Sequence, residues 1–185
     1  MYIKENPILK GILEIVLEPL SDERGFLMRT FDEELFRQAN IPTTWVQENH
    51  SINIYKNTVR GLHFILPPYT DGKLIRCIKG GLFDVFVDLR KGSPTFGKWE
   101  SVVLSENDYK WIYLPKGLAH GFCTLADHTE LIYKHDIEYN NGYDCGIIWN
   151  DSDLMIDWPC IDPVISVKDK DLMTFKEFVT TYGGL

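Results

Sequence analysis

From Thr44 to Asp136 the chain alternates apolar and polar residues in short runs, broken by glycine, proline and asparagine. A side-chain period of two marks half-buried strands, and residues 45–53, 60–66, 73–78, 82–89, 99–104, 110–114, 121–125 and 130–136 all carry it. Pro67-Pro68 closes one run, and Lys79-Gly80-Gly81 is a hairpin turn between two others. Upstream, residues 11–20 read as a strand, 21–25 as a polar turn and 26–31 as a returning strand. Asp32 is placed to cap a helix over 33–40, with Leu35, Phe36 and Ala39 on one face. Residues 149–151 and 156–159 look like ordered loop or edge segments, and 171–180 predicts a short helix ending near Gly183. Many short strands with almost no helix imply an all-β sandwich or barrel. No repeat or linker divides residues 1–185, so one domain is expected.

Composition narrows the partners. Hydrophobic residues make up 44% and charged residues 25%, with a formal charge of −8. An acidic surface disfavours nucleic acid as a general partner. The first residues hold no apolar signal region and no run reaches membrane-spanning length, so a cytoplasmic protein without membrane contact is expected. Cys77, Cys123, Cys145 and Cys160 lie far apart without a C-x-x-C pair, and they read as reduced thiols with no functional signal.

Against that acidic background, Val59-Arg60-Gly61-Leu62-His63-Phe64 and Lys73 concentrate positive charge and an imidazole. Arginine grips phosphate bidentately, lysine adds a point charge, and histidine moves protons near neutrality. The expectation is a site for a small phosphate-bearing anion with a general base in it. Arg60 and His63 are three apart, which puts them on opposite strand faces unless a bulge intervenes, and Gly61 is the natural place for one. His120 sits between Gly117 and Gly121 at the start of a strand. His50 reads equally as structural, and His128 and His135 are given no role. No two histidines are separated by one residue, so metal ligation is not expected. Tyr133 fits either a proton donor or a core tyrosine. Asp169 could orient a histidine, but spacing does not separate it from Asp151 or Asp157.

These residues fall in islands that resemble the dTDP-4-dehydrorhamnose 3,5-epimerase family. They include Asp22-Glu23-Arg24-Gly25-Phe26, Gln47-Glu48-Asn49-His50-Ser51, Arg60-Gly61-Leu62-His63 and Gly72-Lys73-Leu74. Ala119-His120-Gly121-Phe122, Tyr133-Lys134, Trp149-Asn150-Asp151 and Ser166-x-Lys168-Asp169 continue the match. The resemblance implies a double-stranded β-helix, the cupin-like jelly roll, with a few short helices. It implies inversion of C5 and possibly C3 of a nucleotide-diphosphate-linked 4-keto-6-deoxyhexose, without metal or other cofactor. By the same resemblance His63 is the base, Asp169 its dyad partner, Tyr133 the acid and Lys73 the cation near O4. His120 lines the sugar pocket, while Arg24, Gln47, Asn49, Arg60 and Tyr139 hold the nucleotide and diphosphate. Members are homodimers that share residues across the N-terminal segment.

Three positions depart from the family. Leu27 replaces an aromatic that stacks on thymine, Arg29 a glutamate, and Ile65 a glutamine beside the base. These keep open an alternative substrate, a CDP-linked 3,6-dideoxy-4-ketohexose inverted at C5 alone.

Overall fold

Two antiparallel sheets face each other, and the alternation in the sequence decides which side chains lie between them. In the computed structural model, which describes residues 1–185, the first sheet runs in the order β1-β2-β10-β7-β12-β5. Its strands are β1 (Tyr2–Glu5), β2 (Leu13–Val16), β10 (Lys110–Leu114), β7 (Lys73–Lys79), β12 (Thr129–His135) and β5 (Gln47–Asn53). The second sheet has the order β13-β6-β11-β8-β9. It comprises β13 (Asp144–Gly146), β6 (Val59–Ile65), β11 (Leu118–Thr124), β8 (Gly81–Asp88) and β9 (Trp99–Ser105). A separate hairpin pairs β3 (Leu20–Asp22) with β4 (Gly25–Leu27). This is the expected jelly roll.

Three apolar clusters account for the layers. Ile75, Phe86, Ile112 and Phe122 belong to the cluster between the sheets. On the outer side of the five-stranded sheet, Leu62, Phe64, Val85 and Val87 pack against Leu154, Trp158 and Phe178 from the C-terminal segment. The six-stranded sheet is covered at Leu74, Trp111 and Tyr113 by Phe36 and Ile41. Strand β8 is therefore covered on both faces, which is why its sequence is almost continuously apolar. Helix α1 (Glu33–Gln38) starts at Asp32, whose carboxylate accepts from the Leu35 amide.

Several boundaries differ from expectation. The run over 11–20 is split between β2 and β3, with Pro19, which cannot donate to a ladder, between them. The returning strand stops at Leu27. Strand β1, unanticipated, pairs with β2 at the sheet edge. His120 lies inside β11 rather than ahead of it. The C-terminal helix, α3 (Phe175–Tyr182), begins four residues later than 171 because Thr174 and Glu177 form a capping box, and Gly183 ends it in the left-handed region. A short helix unseen in the pattern, α2 (Val167–Lys170), carries Asp169.

Candidate active site

Between the two sheets lies a cavity of about 360 Å³, lined from β5, β6, β7, β11, β12 and the segment 137–139. Its size suits a small-molecule ligand.

Arg60 and His63 both line it, as only an irregular strand allows. The register between β6 and β11 shifts after the His63–His120 pair, so that Phe122 faces Arg60. Gly61 has φ +106°, and a Cβ there would stand 2.6 Å from the His120 carbonyl oxygen. Glycine is required at this point, and the bulge turns Arg60 and His63 to one side.

The His63 imidazole is joined through Nε2 to Asp169 Oδ1 at 2.8 Å, leaving Nδ1 without a protein partner. Asp169 also accepts from the Gly61 amide at 3.1 Å, and its own amide donates to Ser166, the cap of α2. Burial pushes the Asp169 carboxyl up. The bonds from His63, Gly61 and Ser166 outweigh it and hold the group below the usual carboxylate range. An ionised Asp169 fixes the ring's orientation and supports its positive charge.

Facing this dyad from the opposite sheet are Tyr133 on β12 and Lys73 on β7, both lining the cavity. Tyr133 is thus a cavity residue rather than a sealed core tyrosine. Lys73 is buried and its Nζ lies 3.8 Å from Asp71 Oδ2. His120 Nε2 meets Asp84 Oδ1 at 2.7 Å. Asp84 is fully buried with Oδ2 lacking a hydrogen-bond partner, and burial drives its carboxyl upward despite His120 and Lys73.

At the ligand-binding positions, Gln47, Asn49, Arg60 and Tyr139 also reach the cavity. Arg60 is held by Asn53, with Nε 2.7 Å from Oδ1. The Tyr139 amide donates to the Gln47 side chain and its hydroxyl to Asp144 at 2.8 Å. Arg24 does not join them. It stands exposed on the β3–β4 turn, paired with Asp22 at 2.5 Å. His50 is likewise outside, paired with Glu130 on the exposed side of β5.

Sequence reasoning missed Asp71, Asp84 and His135, all close to or on the cavity wall. His135 was set aside, yet it shares the face of Leu131 and Tyr133 and meets Asp71 through Nδ1 at 2.6 Å. Two signals were available. His135 has the same parity as Tyr133 on its strand, and Asp84 interrupts an otherwise apolar run, where an ionisable group needs a reason.

A jelly roll whose cavity opposes a carboxylate-backed imidazole to a phenol and a lysine holds the groups that acid–base chemistry needs. The model of the family dTDP-4-dehydrorhamnose 3,5-epimerase matches residues 7–177. The chain is 45% identical to the dTDP-4-dehydrorhamnose 3,5-epimerase of Shigella flexneri over 84% of its length and 87% of the relative's. It superposes on the Bacillus anthracis dTDP-4-dehydrorhamnose 3,5-epimerase, solved with TDP and pyrophosphate, with a TM-score of 0.90. That pair is 37% identical, with 94% and 98% of the two chains covered. The Legionella pneumophila epimerase in complex with dTDP-4-keto-L-rhamnose gives 0.87 at 35% identity, covering 94% and 92%. The chain belongs to the dTDP-4-dehydrorhamnose 3,5-epimerase family and is a nucleotide-sugar epimerase of deoxysugar biosynthesis.

Proposed function

We propose that the protein, working as a single cupin-like domain, inverts C5 and C3 of a dTDP-linked 4-keto-6-deoxyhexose with its own side chains and no metal or other cofactor. The observation that carries the reading is the His63–Asp169 dyad on one sheet opposed to Tyr133 and Lys73 on the other. His63 takes the proton next to the C4 ketone. The enolate that forms places negative charge on O4, where the Lys73 ammonium stabilises it. Tyr133 returns a proton from the opposite face, and that change of face is the inversion. His120, anchored by Asp84, borders the sugar. Arg60, Gln47, Asn49 and Tyr139 take the diphosphate and nucleoside, whose binding energy orients the ring. The dTDP-bound relatives favour thymidine over cytidine.

The active form in this proposal is a homodimer in the cytoplasm. Arg24 joins the site only if a second copy brings its β3–β4 hairpin to the cavity. That hairpin exposes Leu20 and Leu27 at 75% and 74%, an apolar tip suited to a partner surface. Four unpaired thiols suit a reducing compartment.

The test is incubation in D₂O with dTDP- and CDP-linked 4-keto sugars, reading label and configuration at C3 and C5 by NMR. Label and inversion at both carbons of the dTDP sugar are expected. Turnover of the CDP sugar alone, with label confined to C5, overturns the substrate and the two-centre reading. Activity lost on chelation and restored by a metal overturns the cofactor-free scheme.

A further inference from the structure

Two ionisable side chains at the cavity have no part in that scheme. Asp71 precedes β7, and His135 ends β12 directly opposite Lys73 in the strand register. His135 Nδ1 lies 2.6 Å from Asp71 Oδ2, and the same oxygen lies 3.8 Å from Lys73 Nζ. Asp71 and Lys73 are each only 7% exposed. A buried cation needs a buried counter-charge, and Asp71 is the carboxylate that pairs with it within 4 Å. Burial pushes the Asp71 carboxyl up, but Lys73 and His135 overcome it and keep the group below its ordinary range. On its other side, the His135 ring stands edge-to-face against Tyr133, with centroids 5.5 Å apart and planes at 77°. One carboxylate therefore connects the cation assigned to O4 with the ring that bounds the assigned acid.

We propose that Asp71 and His135 are a positioning pair for proton return, holding Lys73 and Tyr133 so that the enolate is protonated from the inverting face. The inference rests on the roles given above to His63 and Tyr133. Once His63 has removed the proton, the enolate has two fates. If Tyr133 donates, the O–H bond breaks, a C–H bond forms on the far face, and the centre inverts. If His63 donates after its N–H has exchanged with solvent, the carbon regains hydrogen on the original face, labelled but not inverted. The partition between these fates depends on where the Tyr133 hydroxyl sits, while the removal step depends on His63, Asp169 and the Lys73 charge near O4. A pair that fixes Tyr133 thus shows itself in the partition ratio, a quantity that a loss of general stability leaves alone.

The experiment compares wild-type protein with Asp71→Asn and His135→Gln in D₂O, using the dTDP-linked 4-keto sugar and scoring label and configuration at C5 in the same NMR spectra. His135→Gln, which leaves the Asp71–Lys73 pair in place, is expected to lower label uptake less than inversion, and Asp71→Asn, which also loosens Lys73, to lower both, inversion the more. The ratio of label retained without inversion to label with inversion should rise about tenfold or more, the scale on which a misplaced group loses its reaction. Tyr133→Phe should move the ratio in the same direction and further. Should Asp71→Asn fail to fold, His135→Gln alone carries the test, since it leaves the Asp71–Lys73 pair in place. An unchanged ratio in the folded variants overturns the proposal, as does an equal fall in exchange and inversion. Wild-type protein that exchanges no label removes the functional reading itself, and this inference with it.

Discussion

His63, His120 and His135 each border one cavity, and each is tethered by its own carboxylate, yet the three carboxyls are not shifted in the same direction. Asp169 and Asp71 are held below the ordinary range, so they present negative charge to their imidazoles. Asp84 is driven up by complete burial, which makes it the weakest counter-charge of the three. In the proposed scheme His63 is the base, and its Nδ1 has no protein partner. Replacing it by alanine should cut label uptake at C5 by ~10²–10⁴, as measured by NMR in D₂O. Gly61→Ala should be damaging at the neighbouring position for a steric reason. Its φ of +106° and the 2.6 Å approach to the His120 carbonyl leave no room for a methyl group. A loss of more than ~1 kcal/mol in chemical denaturation is expected, together with reduced turnover as the bulge that aims His63 is displaced. The histidine was legible from its surroundings in the sequence. Its partner was not legible from spacing, since 106 residues separate them, and only the family resemblance pointed to Asp169.

At the scale of elements, the C-terminal segment does more than cover the barrel. Helix α2 delivers Asp169 to Gly61 and His63 of β6, and α3 seals the outer face of the same strand. Phe178 on α3 is fully buried and packs edge-to-face on Phe64 with centroids 5.2 Å apart. Phe178→Ala should cost ~3–5 kcal/mol, read from denaturant unfolding, because it opens a cavity behind the strand that carries His63. Thr174→Ala tests the same helix more gently. Removing the cap should cost ~0.5–2 kcal/mol in the same measurement and leave epimerisation nearly untouched, since Thr174 is exposed and does not line the cavity. The alternating strands were visible in the sequence because period two survives wherever one face is apolar. Helix α2 was invisible because four residues are too few to show a helical period, and its cap, Ser166, resembles any loop serine. The start of α3 was legible in principle from Thr174-x-x-Glu177, but the acidic residue at 171 competed as a cap.

For the molecule as a whole, buried and half-buried carboxylates link stability to pH. Asp71, Asp88 and Asp169 sit below their ordinary range, Asp88 because Arg90, Ser93 and Thr95 overcome the upward push of burial. A lowered carboxylate contributes stability that is complete above its unfolded pKa, roughly 3.9, and is lost as pH falls through the folded value. Asp84 has the opposite sign: its contribution is complete below that unfolded pKa and fades as pH rises through its folded value. With three groups against one, thermal unfolding should shift to lower temperature as pH drops below about 4, and Asp169→Asn should flatten that dependence. Formal charge of −8 adds self-repulsion at neutral pH that eases on acidification, so a flat wild-type profile would show that the paired carboxylates contribute little. The sequence by itself determined the all-β class and the place of most strands from β5 to β12, since alternation and turn residues act locally. It also held the motifs that mark the family. Only the tertiary structure decided which carboxylates back His120 and His135, that the irregularity at Gly61 does bring Arg60 and His63 to one cavity, and that His135 reaches it. Those outcomes depend on backbone register and on contacts between strands far apart in the chain, which hydrophobic periodicity cannot encode.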